Sequence, residues 1–248
     1  MANELIVGRN PVLEALRAER EMNKIWIHEG VRRGQMNELI TLAKQSGALI
    51  QFVPKKRLDK LAETPHHQGV VASVAAYEYA TVDDLFQKAE SLGETPFFLL
   101  LDEIEDPHNL GSILRTADST GVHGVIIPRR RSVGLTAAVA KASTGAIEHV
   151  PVVRVNNLAQ TMEELKERGM WFAGADMKGK QDFREADYDL PITLVIGSEG
   201  KGISRLIRQK CDFLVRLPMK GNVTSLNASV AAAILMYEVF RQRSPVGG

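Results

Sequence analysis

The sequence lacks the features that would place it in a membrane or in an oxidising compartment. Its 248 residues include a single cysteine, Cys211, which excludes an internal disulfide and is typical of proteins from a reducing cytosol. No apolar run approaches the roughly 20 residues that are needed to span a bilayer. The first twenty residues are of mixed charge and lack the apolar core and cleavage site of a signal peptide. We therefore expect a cytoplasmic protein without membrane segments.

An excess of one charge and the spacings typical of metal ligands are also missing. Lysine and arginine number 31 against 30 acidic residues, a formal net charge of +1, so composition does not indicate a nucleic-acid partner. Such a partner would have to bind a local basic patch, and three exist: Arg32–Arg33, Lys55–Arg57 and Arg129–Arg131. The third follows the apolar strand pattern GVIIP, at the sheet edge where ligands of α/β proteins bind. The scattered histidines and lone cysteine predict no metal site.

The sequence does contain a regular alternation of helix and strand patterns, in two halves. Residues 1–77 predict a compact α/β domain, and residues 78–96 predict a linker with one helix. Residues 97–248 begin with the apolar run FFLLLDEI, which is typical of a strand buried on both faces. Strands that alternate with helices predict a parallel sheet covered on both sides.

The last predicted helix is apolar, yet it opens with a cluster of hydrogen-bonding side chains. In TSLNASVAAAILMYEVF, the stretch Ala228–Phe240 has Glu238 as its only charge, so we expect the helix to be buried. Thr224 or Ser225 is a suitable N-cap. Asn227 is harder to explain, because asparagine is unfavourable inside helices and a buried amide needs partners. We therefore expect something polar to meet the start of this helix.

Three apolar strands in the second half run directly into polar segments that contain glycine. They are found in LLLDEIEDPHNLGSILRTAD, LVIGSEGKGIS and RLPMKGNVTSLNAS. Because the carboxyl ends of parallel strands share one edge of a sheet, we expect the three segments to converge on one crevice. In the first, Asn109 begins a helix and Arg115 follows nearly two turns later, so we expect the two to project from similar faces. A surface ion pair with Asp118 is the alternative interpretation of Arg115.

The glycine loop IGSEGKGIS is not specific when it is considered alone. It lacks the GxxxxGK[ST] pattern of a phosphate-binding loop, and its GxxGxG spacing departs from the dinucleotide fingerprint. A GxSxG nucleophile elbow is absent from it as well. A tight strand-to-helix turn is the simplest interpretation of the loop by itself.

Taken together, the three segments resemble the signature motifs of the SpoU (TrmH-like) RNA ribose 2'-O-methyltransferases of the SPOUT superfamily. The motifs match in order as NLGSILRTAD, LVIGSEGKGIS and LPMKGNVTSLNASVAAAILMYE, across residues 97–242. In the first half, VGRNPVLEAL and HHQGVVA are similar to the ribosomal-protein-like RNA-binding domain of members that modify ribosomal RNA. The resemblance is strongest to bacterial enzymes that methylate a guanosine ribose in 23S rRNA.

This resemblance implies a fold, a cofactor and partners. The fold would be α/β, with a parallel-sheet SPOUT domain at 97–248 that contains a deep trefoil knot, and a small ribosomal-protein-like domain at 1–77 that binds the RNA. The methyl donor would be S-adenosylmethionine, with no metal. The enzyme would be a homodimer that packs partly through the last helix, where small residues would permit close approach: Ala228, Ser229, Ala231, Ala232 and Ala233.

The resemblance also implies three sets of site residues. The catalytic set is Asn109, Arg115, Glu199, Ser225 and Asn227. The cofactor-binding set is Thr144, Gly145, Ile196, Gly197, Gly200, Leu217, Met219, Ser225 and Leu226. The RNA-binding set is Arg9, Arg32, Arg33, Arg129 and Arg130.

Other functions are compatible with parts of the sequence. The same chemistry on tRNA, or on an adenosine of rRNA, would use the same motifs, and only the N-terminal half favours rRNA. A dinucleotide-dependent enzyme would use the glycine loop, although the fingerprint is missing. An RNA-binding module without catalysis is a third possibility, which the complete catalytic set disfavours.

Overall fold

The computed structural model describes residues 5–18, 20–31, 33–62, 64–74, 77–222 and 225–244. The chain forms two compact units. The first unit is Met1–Glu78 with Gly134–Ala138, and the second unit is Tyr79–Val133 with Val139–Gly248. Each is built around its own β-sheet.

The first unit contains a four-stranded mixed sheet with the strand order β1-β4-β2-β3. Its elements are β1 (Leu5–Val7), α1 (Arg9–Arg17), β2 (Met22–His28), α2 (Arg33–Gln45), β3 (Leu49–Val53), α3 (Lys55–Ala62) and β4 (Val70–Val74). Strands β2 and β3 are parallel, whereas β4 runs antiparallel to both β1 and β2. The alternation of helices and strands did not reveal this reversal, because it fixes the sequence of elements but not the direction in which a strand enters the sheet.

Helices α1 and α2 cover one face of this first sheet. The buried residues Val12, Leu13 and Leu16 recur at helical spacing on α1, and they pack with Leu39 of α2 in one cluster that includes Ile25 of β2. Helix α3 lies on the other face, where Leu58 packs in a smaller cluster with Val53 and Val71. The small unit therefore has a core on each side of its sheet.

The second unit contains a seven-stranded sheet in the order β7-β6-β5-β10-β8-β11-β9. Its strands are β5 (Phe97–Asp102), β6 (Gly124–Pro128), β7 (Val152–Val155), β8 (Trp171–Ala175), β9 (Gln181–Asp182), β10 (Ile192–Gly197) and β11 (Phe213–Arg216). Its helices are α4 (Val82–Leu92), α5 (Pro107–Ser119), α7 (Leu158–Glu167), α8 (Arg205–Lys210) and α9 (Ala228–Arg243), with 3₁₀ turns at Ala146–Glu148 and Phe183–Glu185. Helix α6 (Ala137–Ser143) begins within Gly134–Ala138 of the first unit and continues into the second.

Every pairing in this second sheet is parallel, which confirms the α/β fold with a large parallel sheet. All six residues of β5 are buried, as its continuous apolar run predicts. The central neighbours β5 and β10 are distant in the chain, and β6 and β7 continue away from them on one side while β8 lies on the other. Such a change of direction leaves a crevice outside the carboxyl ends of the two central strands. The trefoil knot stays a prediction.

Helix α9 differs from the fully buried helix that its composition predicts. One side is buried and includes Leu235 and Met236, whereas four large apolar residues are exposed: Val230, Ile234, Tyr237 and Phe240. The single charge, Glu238, is on the buried side, where Arg241 donates to its carboxylate at 2.6 Å. An apolar helix need not be enclosed within its own chain, since another surface can cover it.

Close approach of a second copy at the small residues of α9 stays a prediction. Ala228 and Ala232 are buried within the unit, and Ser229, Ala231 and Ala233 are only partly exposed. The exposed face is made instead by the larger side chains named above. Within the described part of the chain, no helix is long and apolar enough to cross a membrane.

Candidate active site at the carboxyl edge of the large sheet

Three polar side chains from distant parts of the chain meet beside strands β5 and β10. Asn109 donates its amide to Glu199 Oε1 at 3.0 Å, and Asn227 donates to Asn109 Oδ1 at 2.9 Å. Asn227 also donates to Glu199 Oε1, and the backbone N–H of Ala228 reaches the same oxygen at 3.3 Å. The structure thus brings together the first, second and third motifs, as the convergence of strand ends predicts.

The starts of two helices hold this cluster in place. At α5, Asp106 is the N-cap and accepts from the backbone N–H of His108 at 2.7 Å, with Pro107 as the first helical residue. At α9, Asn227 itself is the N-cap, and its Oδ1 accepts from the backbone of Ser229 at 2.9 Å. The expectation that Thr224 or Ser225 caps this helix was therefore wrong for Ser225, while Thr224 lies outside the described residues. The amide of Asn227 therefore uses both of its polar atoms: the oxygen accepts from the backbone of α9, and the nitrogen donates to Asn109 and Glu199.

Glu199 has one occupied and one open carboxylate oxygen. Oε1 accepts from three donors, whereas Oε2 makes no hydrogen bond with the described residues. The Ala228 N–H is one of the unpaired donors at the start of α9, where the helix dipole also favours a negative charge. Glu199 is exposed, so its open oxygen is available to a substrate.

The glycine loop that carries Glu199 folds back tightly on the end of β10. A Cβ atom on Gly197 would lie 2.0 Å from the carbonyl carbon of Gly202, so no side chain fits there. Gly202 itself has a φ of 66°, and its N–H donates to the Ser198 carbonyl at 2.8 Å. From the end of β5, the buried Asp102 accepts from the backbone N–H of Ser204 at 2.7 Å. The neighbouring strand thus fixes the end of the loop.

A cavity of about 370 Å³ opens on one side of this loop. Seven of the nine residues that we expected to bind a cofactor line it: Ile196, Gly197, Gly200, Leu217, Met219, Ser225 and Leu226. Glu199 lines it as well. The aliphatic side chains and the exposed backbone of the glycine loop suit a nucleoside, whose flat base is apolar and whose edges form hydrogen bonds.

Sequence reasoning missed the part of this cavity that follows β8. Asp176 and Arg208 form an ion pair in the cavity wall, and the backbone N–H of Lys178 donates to Asp176 at 2.7 Å. The signal was present, because MWFAGAD is another apolar strand that ends in a polar residue. Asp176 ends this fourth strand, and the carboxyl ends of parallel strands share one edge of the sheet, so its place beside the cavity follows from the same rule.

A second cavity, of about 290 Å³, lies next to the first. Ser198, Glu199 and Lys201 line both cavities, and Asn109 lines the second. Glu103 also lines the second cavity and is held by Arg131 at 2.7 Å, which raises the pKa of that guanidinium. Because the two cavities adjoin and Glu199 lies between them, they can hold two reacting molecules side by side, one in each cavity.

Other expected residues lie apart from this network. Arg115 is exposed and makes no ion pair with Asp118 and no side-chain hydrogen bond within the described residues. Six residues turn a helix by about 600°, so Arg115 and Asn109 point in directions roughly 120° apart rather than from similar faces. Thr144 and Gly145, both at positive φ, form an exposed turn after α6 and do not line either cavity.

The expected RNA-binding arginines lie only partly within the described residues. Arg130 is exposed and Arg129 is half-buried, directly after β6 at the same sheet edge. Arg9 begins α1 in the first unit and is also half-buried. Arg32 and the Arg33 side chain lie outside the described residues. Across the described residues, no three His, Cys, Asp or Glu side chains are grouped so that they could hold a metal ion.

Two family models match the chain in the same order as its two units. Residues 96–237 match the SpoU rRNA Methylase family, and residues 5–80 match the family described as RNA 2'-O ribose methyltransferase substrate binding. The chain is 60% identical over 245 residues to YacO of Bacillus subtilis (strain 168), a protein assigned to the TrmH family of tRNA/rRNA methyltransferases. That alignment covers 99% of this chain and 98% of the relative.

Solved structures with a similar fold are also methyltransferases. The SpoU methyltransferase AviRb from Streptomyces viridochromogenes, in complex with AdoMet, is similar with a TM-score of 0.62 and 26% identity, over 96% of this chain and 90% of that one. The A. aeolicus TrmH/SpoU tRNA modifying enzyme is similar with a TM-score of 0.56 and 30% identity. That match covers 66% of this chain and 86% of the enzyme.

Proposed function

This chain belongs to the SpoU rRNA methylase family, and on that premise we propose that it transfers a methyl group from S-adenosylmethionine to the ribose 2'-hydroxyl of a guanosine in 23S rRNA, in the cytoplasm. Both family matches support methyl transfer to the ribose 2'-hydroxyl of RNA. The observation that carries the proposal is the Asn109–Glu199–Asn227 network between two adjoining cavities.

The larger cavity fits the methyl donor. Its aliphatic walls at Ile196, Leu217 and Leu226 can enclose the adenine, and the glycine loop lines the same cavity at Gly197 and Gly200. When bound, S-adenosylmethionine supplies a methyl group on a positively charged sulfur. Thr144 and Gly145 stay in the proposed cofactor-binding set, although they do not line this cavity.

The protein has to orient the ribose hydroxyl and help it lose its proton. Glu199 is placed for this, because its open Oε2 can accept a hydrogen bond from the hydroxyl while three donors hold Oε1 in position. Asn109 and Asn227 act as positioning residues for Glu199. Ser225 is exposed at the cavity wall, where its hydroxyl can form a hydrogen bond with the methyl donor or with the ribose that accepts the methyl group.

Arg115 suits a phosphate better than a proton. A guanidinium is effectively never deprotonated, which argues against a role as general base. Its exposed position on α5, without an ion pair to the described residues, leaves it able to bind the phosphate beside the target ribose in a bidentate manner. We assign it to that role, with Arg129 and Arg130 contacting RNA at the same sheet edge.

The active form in this proposal is a homodimer. The exposed apolar residues of α9 named above form the surface that a second copy would cover. We also assign substrate choice to residues 1–77, with 78–96 as the linker and 97–248 as the methyltransferase domain. An N-terminal unit devoted to RNA recognition favours a large structured RNA as the substrate.

A methyl-transfer assay tests this proposal. Labelled S-adenosylmethionine is offered with total tRNA, 16S rRNA and 23S rRNA separately, and alkali-resistant ribose positions are then mapped. We expect one resistant guanosine in 23S rRNA. Label in tRNA alone, or at an adenosine, would overturn the substrate assignment, and no label in any RNA would overturn the reaction.

The role of Glu199 is tested in the same assay. Glu199→Gln should lower kcat roughly 10- to 100-fold, since the bonds to Oε1 and Oε2 lose their charge-assisted character. Glu90→Gln, which changes another exposed glutamate, on α4, is the matched control and should leave kcat unchanged. Equal rates for the two variants would contradict the role assigned to Glu199.

A further inference from the structure

The ion pair of Asp176 and Arg208 in the wall of the larger cavity has no role in the mechanism described above. Asp176 follows β8 and its side chain is 6% exposed, whereas Arg208 lies on α8 and its side chain is 32% exposed. Both residues line the cavity. Taking two charges out of water is costly, and a well-packed hydrophobic pair of similar size is often at least as stable. The charged pair therefore points to a role other than stability.

The Arg208 guanidinium is held at two of its three nitrogens. Nε lies against Asp176 Oδ2 in a charge contact rather than a hydrogen bond, and Nη2 donates to the Ile203 carbonyl at 3.0 Å. Nη1 makes no hydrogen bond with the described residues. The planar group is thus fixed in direction, while one nitrogen stays free to donate to a ligand in the cavity that Arg208 lines.

Asp176 is fixed in turn by the backbone around it. Its Oδ1 accepts from the N–H of Lys178 at 2.7 Å, and its own N–H donates to the Val215 carbonyl of β11 at 2.9 Å. Its carbonyl accepts from the N–H of Gly179, also at 2.9 Å. A Cβ atom on Gly179 would lie 2.9 Å from the carbonyl carbon of Val215, so this loop packs closely on β11. The Asp176 carboxylate is therefore a rigid support for the guanidinium.

The methyl donor carries one anionic group that such a guanidinium can bind. S-adenosylmethionine has an adenosine, a positively charged sulfur and an amino-acid tail that ends in an α-ammonium and an α-carboxylate. A guanidinium binds a carboxylate through charge-assisted hydrogen bonds of defined direction. Because the pair of Asp176 and Arg208 has no net charge, it does not repel the sulfonium as an unpaired arginine would. An arginine paired in this way suits a ligand that carries charges of both signs.

We propose that Arg208 binds the α-carboxylate of S-adenosylmethionine, and that Asp176 positions its guanidinium. The inference rests on the proposed function and adds the residue that recognises the amino-acid end of the donor. It also assigns the two ends of the donor to different parts of the larger cavity. The aliphatic walls enclose the adenine, whereas α8 and the loop after β8 hold the tail.

Two lysines in the cavity wall are weaker candidates for the same contact. Lys178 and Lys201 both line the cavity, and both are exposed. An exposed ammonium on a flexible side chain is strongly hydrated, and its ion pairs contribute little. Lys201 also lines the second cavity, which places it on the side of the acceptor. Arg208 is less exposed than either lysine, and its charged group is held in a fixed direction.

Equilibrium binding of two donors to the full-length chain, without RNA, tests the proposal. The donors are S-adenosylmethionine and decarboxylated S-adenosylmethionine, which differ only in the α-carboxylate, and calorimetric titration gives both dissociation constants. The unmodified chain should bind the intact donor roughly 10- to 100-fold more tightly, as expected for charge-assisted hydrogen bonds to one carboxylate. Arg208→Gln should weaken binding of the intact donor by that factor and leave binding of the decarboxylated donor unchanged. Arg208→Lys should retain part of the preference.

Two further variants serve as controls. Arg205→Gln is the matched control, because Arg205 is an exposed arginine on the same helix that does not line the cavity, so the preference for the intact donor should stay unchanged. The double variant Asp176→Asn with Arg208→Gln removes both charges, so that no carboxylate is left buried without its partner. It should show the same loss of preference as Arg208→Gln. Its binding of the decarboxylated donor reports that the cavity is folded.

The outcomes separate this inference from the proposed function. Equal weakening of both donors by Arg208→Gln would show a structural role and overturn the contact. Equal affinities of the unmodified chain for the two donors would overturn it too, as would loss of the preference in Lys178→Gln but not in Arg208→Gln. If the unmodified chain shows the expected preference but methylates no RNA, the proposed reaction fails and the Arg208 contact stands. Binding of neither donor would overturn both.

Discussion

Asn227 performs two tasks through the two ends of one amide. Its oxygen caps α9 by accepting from the backbone of Ser229 and Val230, and its nitrogen donates to Asn109 and Glu199. Its oxygen also accepts from the Ser229 hydroxyl at 2.6 Å. A residue with an acceptor alone could replace the first task and not the second. The side chain therefore couples the folding of a helix to the geometry of the site.

Two substitutions separate the tasks of Asn227. Asn227→Ser keeps a good N-cap acceptor, so the free energy of unfolding should change by less than about 0.5 kcal/mol, while kcat falls roughly 10- to 100-fold because Glu199 loses a donor. Asn227→Ala loses the cap as well and should cost about 1 kcal/mol of stability. Urea unfolding and single-turnover kinetics measure the two effects. Equal stability of both variants would show that the cap contributes nothing.

At the scale of elements, the starts and ends of strands carry different kinds of side chain. The carboxyl ends of β5, β8 and β10 bear the site, as described above. The start of β5 is structural: the buried His123 accepts from the backbone N–H of Phe97 at 3.0 Å and contacts Glu94 at 3.0 Å. Burial is the main cause that lowers the pKa of His123, and it outweighs the opposing effect of Glu94.

The depressed pKa of His123 makes stability depend on pH in a defined direction. Below its ordinary pKa of about 6.5, the unfolded chain binds a proton at this histidine that the folded chain does not, so the free energy of unfolding falls as pH falls. One proton contributes at most about 1.4 kcal/mol per pH unit. His123→Asn, which can still accept from Phe97, should flatten the dependence between pH 7 and pH 5.

The control for this titration is His66→Asn, which changes an exposed histidine. Urea unfolding at a series of pH values should give the same slope for His66→Asn as for the unmodified chain. If His123→Asn gave the same slope of unfolding free energy against pH as His66→Asn and the unmodified chain, the pH dependence would belong to groups other than His123.

Most elements could be predicted from the sequence, and the exceptions have physical reasons. The runs FFLLLD and ITLVIG predict β5 and β10 directly, because a strand that is buried on both faces is apolar along most of its length. Strand β1 has three residues and β9 has two, which is too short for any period to be visible. The reversal of β4 depends on long-range pairing that no local pattern encodes.

The site was predictable where a strand end carried an unusual residue. The meeting of Asn109, Glu199 and Asn227 follows from the parallel sheet, since their segments follow or adjoin strand ends on one edge. The participation of Asp176 follows from the same rule. The cap at Asn227 did not follow, because Thr224 and Ser225 are equally good caps and only the path of the preceding loop decides among them.

At the scale of the whole molecule, the exposed apolar face of α9 is the feature on which the proposed homodimer rests. Val230, Ile234 and Tyr237 follow one another at helical spacing, and the Phe240 ring contacts the Tyr237 ring edge-on with centroids 6.2 Å apart. A stripe of this kind on a helix is a common dimer surface. We expect a second copy of the chain to cover it.

A charge placed in this stripe tests the dimer. Tyr237→Asp should convert a dimer to a monomer in sedimentation equilibrium, because burying an unpaired carboxylate at an interface is strongly unfavourable. Leu92→Asp, at an exposed leucine on α4, is the control and should leave the molecular mass unchanged. A Tyr237→Asp protein that stays dimeric would place the interface elsewhere.

The order in which the three donors to Glu199 occur along the chain has a consequence for synthesis. Asn109 emerges from the ribosome first, Glu199 much later, and Asn227 and Ala228 only with the final helix. Domains near the N-terminus generally fold first during translation. Under the proposed function, the N-terminal unit that is assigned to RNA recognition therefore folds before the proposed active site has its last residues, so a nascent chain would bind RNA before it could modify it. The Asn109–Glu199–Asn227 network is complete only when the start of α9 has folded.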